Sequence, residues 1–150
     1  MYLGQVDLRV RPGDVGDLLA LPSIPNTFLA EDEHETLWLG PDEWLLVTAS
    51  ETTRPLIDRL ADDLRGTHHS IVDVSANRAA IDLGGEGRLH VLAHGCSIDL
   101  HPRVWSRPMC AQTVLAGVPV IIQERDAGTR VFVRPSYLPH ITAWLDRVMR

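Results

Sequence analysis

The 150 residues are 45% hydrophobic and 23% charged, with a formal net charge of −6 at pH 7. That balance supports one domain with a real core, disfavours disorder, and argues against a nucleic-acid or anionic-membrane surface. All 14 basic residues are Arg, which excludes a Lys Schiff base and a P-loop Lys.

In chain order, Gln5 to Val10 alternates apolar and polar residues and predicts a short strand. Pro12, Gly13, Gly16, Pro22 and Pro25 then break regular structure, so residues 1–35 form a loosely defined segment before a core spanning 36–150. Glu31 to Glu35 reads as an acidic, solvated turn. TLWLG and WLLVTA predict two strands around a turn that Pro41 presets. TTRPLIDRLADDLRG predicts a helix with Thr53 as N-cap, Leu56, Ile57, Leu60 and Leu64 inward, and Gly66 as its stop.

SIVDVSA and RAAIDLG predict two strands joined at Ala76–Asn77. GEGRLHVLAHGC predicts a short helix with Leu89, Leu92 and Ala93 inward, closed by Gly95. SIDLHPRVWSRP is a proline-bounded loop. QTVLAG, PVIIQER and TRVFVRP predict three strands, and YLPHITAWLDRVMR a final helix with Ile141, Trp144, Leu145 and Val148 on its apolar face. Strand pairs with short turns imply antiparallel pairing. The fold class is therefore α+β, an antiparallel sheet with helices on one face and a repeated strand–strand–helix unit.

Cys96 and Cys110 are too few for a disulfide framework, and MYLGQVDLRV has no apolar signal core. No apolar run approaches the roughly 18 residues that span a membrane, so a cytoplasmic protein is expected.

The candidate chemistry is thin. His90 and His94 stand four apart on a predicted helix, a spacing that can bind zinc. Val91 occupies the place of the Glu in H-E-x-x-H, and a closed zinc site needs four ligands, so two surface histidines are the preferred reading. Gly84-Gly85-Glu86-Gly87 opens a helix without a G-x-G-x-x-G or Walker pattern and reads as a tight turn. Asp73, Ser75 and His68 include the residue types of a triad, but Ser75 sits in no nucleophile elbow; Asp73 is expected to cap or pair locally, with Arg78 one candidate partner. Cys110 has only Arg107 nearby and reads as a small buried hydrophobe. Trp38 and Trp44 are expected in the core. Trp105, in the proline-bounded loop, is either an exposed anchor or folded back to cover the sheet end, and with Val104 and Met109 it forms the proposed partner interface. No catalytic, cofactor-binding or metal-ligating residue is assigned.

LWLGPDEWLLV (Leu37 to Val47) and VDVSANRAAIDLGGEGRLHVLAHGCSIDL (Val72 to Leu100) resemble the folate-binding aminomethyltransferase-type superfamily. HGCSIDLHPRVW, CAQT (Cys110 to Thr113) and RPSYLPHITAWL resemble in particular the gamma subunit of heterotetrameric sarcosine oxidase. The resemblance implies a cytoplasmic complex with alpha, beta and delta subunits that oxidatively demethylates sarcosine to glycine with hydrogen peroxide, passing the methyl carbon to tetrahydrofolate. It places FAD, FMN, NAD and zinc in the other subunits and none in this one. Aminomethyltransferases carry an Asp pair in a G-G-x-x-D-D pattern; the matching stretch, Ala116 to Arg125, retains Gly117 but has Val118, Pro119 and Val120 where the carboxylates would stand. Those side chains transfer no proton, so a non-catalytic assembly subunit is expected. A free-standing folate-binding protein of the superfamily is the alternative.

Overall fold

The computed structural model of the chain describes residues 2–150. Where the sequence reading treats 1–150 as one domain, Tyr2–Ala76 and Asn77–Arg150 are each a compact unit with its own sheet.

The first unit runs β1 (Leu3–Val10), α1 (Pro12–Val15), β2 (Phe28–Ala30), β3 (His34–Gly40), β4 (Glu43–Ala49), α2 (Thr53–Asp63) and β5 (His69–Asp73). Its strands lie in the order β2-β3-β4-β1-β5, all pairs antiparallel. Period-two alternation along β1 puts Val6, Leu8 and Val10 on one face, where Trp44 and Leu46 of β4 join them. Leu56, Leu60 and Leu64 cover that face, and each such burial contributes about 1.5–3 kcal/mol. Trp38 stands directly opposite Trp44 across the β3–β4 ladder and packs on the same core. Thr53 is the first residue of α2 rather than its cap, and its hydroxyl donates to the Ala49 carbonyl at 3.3 Å. Gly66, at φ 83, turns the chain after the helix.

The second unit runs β6 (Ala79–Leu83), α3 (Arg88–Ala93), β7 (Cys110–Leu115), β8 (Val118–Arg125), β9 (Gly128–Val133) and α4 (Leu138–Val148). The sheet order is β6-β9-β8-β7, again antiparallel. Val120, Ile122, Val131 and Val133 form one face, covered by Leu92 of α3 and by Ile141 and Leu145 of α4.

Three expectations change. The N-terminal segment is more ordered than its prolines imply: β1 starts at Leu3, a helical turn follows at Pro12, and β2 forms at Phe28. The strands on either side of Ala76–Asn77 do not form a hairpin. β5 pairs with β1 and β6 with β9, because the short link passes from one unit to the other. Ala93 faces solvent, leaving Leu92 as the fully buried residue of α3.

Candidate functional site

The segment from Gly95 to Thr113 has little regular structure, yet its backbone is held at many points. Cys96 N–H donates to Leu92 O at 2.9 Å, and Ser97 N–H to Val114 O at 3.1 Å. Val104 and Trp105 N–H both donate to His101 O at 2.9 Å, and Glu124 N–H reaches Met109 O at 2.9 Å. Leu100 and Trp105 are buried in the core of the second unit. Gly95 enters this segment by close approach. A Cβ there would lie 2.6 Å from Trp144 Cζ2, so the ring of α4 claims the space a side chain would need.

Trp105 is therefore not an exposed anchor. It is 2% exposed, while its neighbour Val104 is 52% exposed. The indole Nε1–H donates to Glu124 Oε2 at 3.0 Å, and the Thr129 hydroxyl donates to the same oxygen at 2.6 Å. The Arg88 guanidinium pairs with Glu124 Oε1. It also donates through Nε to Thr129 Oγ1 at 3.1 Å and through Nη1 to Gly85 O at 3.0 Å. Both carboxylate oxygens of the buried Glu124 are thus matched by donors, which removes the penalty of an unpaired buried charge. Met109 is partly buried against the same core.

Glu124 was accessible to sequence reasoning but missed. Val118, Val120, Ile122 and Glu124 share one parity along β8, and Val133, Val131 and Thr129 share one along β9. A charged residue in an otherwise inward-facing series predicts a buried, paired carboxylate.

The opposite face of this sheet carries a second ion pair. Arg130 donates from Nε and Nη2 to the two Asp82 oxygens at 2.7 and 2.8 Å, across a direct β6–β9 pair. The Arg130 hydrogen bond holds the Asp82 carboxyl below its usual range, against an opposing push from burial. At the other end of that face lies an open cavity of about 420 Å³, lined by Arg78, Gln112, Val114, Pro119 and Arg134 above Ile121 and Phe132.

The remaining candidates fall apart spatially or serve local structure. His90 and His94 meet edge to face, 4.9 Å between ring centroids, and His94 Nδ1 lies 2.8 Å from His90 O. Among the described residues no three His, Cys, Asp or Glu converge to hold a metal ion. Asp73 Oδ1 accepts from the Ser75 hydroxyl at 2.6 Å and from its N–H at 3.0 Å, which lowers the Asp73 pKa. Ser75 Oγ also accepts from Gln5 N–H at 3.0 Å, so this pair ties β1 to the end of β5. Cys96 is half-buried and Cys110 buried, and neither is in a disulfide. Gly85, at φ 86, makes the turn into α3. Among the described residues no helix is long and apolar enough to cross a membrane.

The acidic patch is more organised than a solvated turn. Glu31 Oε2 lies 3.0 Å from His34 Nε2, and Glu33 pairs with Arg59 of α2 at 2.7 Å. His34 Nδ1 is buried with no hydrogen-bond partner. Burial is the largest influence on the His34 pKa and lowers it; Glu31 and Glu33 raise it, and Arg59 lowers it further.

A model of the sarcosine oxidase, gamma subunit family matches residues 15–149. The chain is 34% identical over 158 residues to the sarcosine oxidase subunit gamma of Corynebacterium sp. (strain U-96), a match covering 99% of this chain and 76% of that one. It is 32% identical over 158 residues, with the same coverage, to the sarcosine oxidase subunit gamma of Arthrobacter sp. Among solved structures, it matches the heterotetrameric sarcosine oxidase from Corynebacterium sp. U-96 in complex with pyrrole 2-carboxylate at a TM-score of 0.89 and 30% identity, over 99% of this chain and 80% of that chain. The glycine cleavage system aminomethyltransferase T from Bartonella henselae matches at 0.66 and 12% identity, over 96% of this chain and 43% of that chain, a likeness of fold.

Proposed function

The chain belongs to the sarcosine oxidase, gamma subunit family, and on that premise we propose that it is a non-catalytic assembly subunit of a heterotetrameric sarcosine oxidase. Its partners in this reading are the alpha, beta and delta subunits, in a cytoplasmic complex that converts sarcosine to glycine and hydrogen peroxide with folate-linked one-carbon transfer. FAD, FMN, NAD and zinc are held by those other subunits, which also use tetrahydrofolate.

The observation that carries the reading is the complete engagement of Glu124. Its carboxylate accepts from Arg88, Trp105 and Thr129, so a group that a catalytic site would keep available instead fixes the loop carrying the family resemblance. The pinned Trp105 leaves Val104 projecting beside it, and Val104 with Met109 remains our proposed contact on this loop. Val118, Pro119 and Val120 supply no acid or base at the strand where aminomethyltransferases carry carboxylates.

Co-expression with the three partner subunits followed by size exclusion tests the proposal. Co-elution with an active complex is expected. Elution as a free monomer beside an assembled, active enzyme would refute it, and saturable micromolar tetrahydrofolate binding by that monomer would establish the free-standing alternative.

A further inference from the structure

We infer that the first unit holds a binding site for a small alkyl diamine, a short hydrocarbon chain with an ammonium group at each end, in the recess between β3 and α2. The site lies wholly within Tyr2–Ala76 and does not depend on the assembly role proposed above.

Strand parity builds the recess. His34, Thr36 and Trp38 alternate onto one face of β3, the face on which Trp38 packs against the core with Leu46 of β4. Between that face and Arg59, Leu60 and Asp63 of α2 lies a cavity of about 400 Å³. Leu18 to Leu21 closes another side, and Glu31, Asp32 and Glu33 complete the wall.

Two residues of this lining carry buried polar atoms without partners. Thr36 is 1% exposed, and its hydroxyl makes no hydrogen bond. His34 Nδ1 is buried and likewise unpaired. A buried polar atom left unsatisfied costs about 1–3 kcal/mol, so a ligand that reaches these two removes a penalty the free chain carries. Both can accept a proton. His34 Nε2 faces the Glu31 carboxylate at 3.0 Å, which puts the ring proton on Nε2 and leaves Nδ1 an acceptor. Burial lowers the pKa of the ring and favours this neutral form.

The charges around these acceptors have one sign in excess. Glu31, Asp32, Glu33 and Asp63 line the cavity with a single guanidinium, Arg59, which Glu33 engages at 2.7 Å. Asp32 and Asp63 are exposed, so the mouth is anionic while the interior offers neutral acceptors. Leu19, Leu21, Leu46 and Leu60 supply apolar wall. The occupant must therefore donate hydrogen bonds, carry positive charge and bury some hydrocarbon, and an alkyl diamine does all three. A zwitterionic amino acid would set its own carboxylate against the acidic wall. A bare metal ion lacks its ligand set, because among the described residues no three His, Cys, Asp or Glu converge.

Calorimetric titration of the full chain with putrescine tests the site, with sarcosine and 1,4-butanediol as the zwitterionic and uncharged controls. Saturable binding of putrescine alone is expected, weakened by salt. Thr36→Val should raise its dissociation constant about tenfold or more, the loss of one hydrogen bond to a charged group. T36V removes no hydrogen bond from the free chain, so its unfolding midpoint should stay within a few degrees of wild type. Asp63→Asn, at the exposed mouth, should raise the constant about threefold or more, and it decides the matter should T36V fail to fold. Absence of saturable putrescine binding overturns the site, as does equal binding of 1,4-butanediol or a constant within about twofold of wild type in the folded variants. Binding by the isolated chain that disappears in the complex with its three partners would assign the recess to a partner's cationic side chain and overturn the free diamine.

Discussion

Trp105 and Glu124, 19 residues apart, meet at 3.0 Å through the indole Nε1–H and Oε2. The contact joins the proline-bounded loop to the inward face of β8. It also holds the loop between α3 and β7 against the core of the second unit. Its aromatic side chain fills the core, and the one polar atom on that side chain finds a buried anion.

Removing that hydrogen bond should loosen the loop. Trp105→Phe is expected to destabilise the folded chain by about 1.5–3 kcal/mol, the range for hydrogen bonds to charged groups. Trp105→Ala should lose about 3–5 kcal/mol, because a cavity is added. Urea unfolding of both variants measures the difference. A Trp105→Phe loss below about 0.5 kcal/mol would show that the contact is incidental.

Glu124→Gln leaves Arg88 partly buried without its anion. A loss of about 3 kcal/mol is expected. In a double-mutant cycle with Trp105→Phe, the two changes should couple by about 1 kcal/mol or more, since both act on Oε2. Strict additivity would mean that the indole and the carboxylate act independently.

Gly95 and Trp144 form a second tight fit. With Trp144 Cζ2 at 2.6 Å from a virtual Cβ, Gly95→Ala should cost about 1–3 kcal/mol through overpacking. Trp144→Leu removes the clashing ring, so Gly95→Ala should be much milder in that background. Equal penalties in both backgrounds would place the strain elsewhere.

Two titrations carry a definite sign. The Asp82 pKa is lowered mainly by Arg130, so its contribution is complete above the usual carboxylate pKa and is lost as pH falls through the lowered folded value. With Asp82 about two-fifths exposed, solvent screening keeps the contribution small. Asp82→Asn should flatten the acid limb of the stability profile and leave the neutral region nearly unchanged. An unaltered acid limb contradicts this.

The His34 pKa is lowered mainly by burial. The unfolded chain then binds a proton more readily than the folded one, so stability is full above the ordinary histidine value and declines as pH falls below it toward the folded value. His34→Gln should reduce the fall in melting temperature between pH 7.5 and pH 5.5. A wild-type midpoint that rises on acidification over that window would reverse the assigned cause.

Much of this architecture is legible in the residues. Alternation marks β1, short apolar runs mark β3, β4, β8 and β9, the i, i+4 leucines mark α2, and Ile141 with Leu145 marks α4. What sequence conceals is partnership between distant segments. SIVDVSA and RAAIDLG look like a hairpin because local spacing favours one, yet Val6 pairs with Asp73 and Ala80 with Phe132. Trp105 shows the same limit from the other side. The position of a proline-bounded loop alone does not decide its exposure; Glu124, the charged member of the inward-facing series of β8, supplies the buried acceptor that the Trp105 indole requires. Gly95 looks like a helix stop by position, but its backbone lies outside the left-handed set, and Trp144 is the reason for the missing side chain.

Native mass spectrometry of the complex formed when this chain and its three partner subunits are expressed together tests the central claim most directly. The account predicts an active assembly containing one copy of the 16.7 kDa chain, which falls apart or loses yield when the chain is omitted. A fully active, stable complex built from the other three chains, with this one absent from every assembled species, would contradict it.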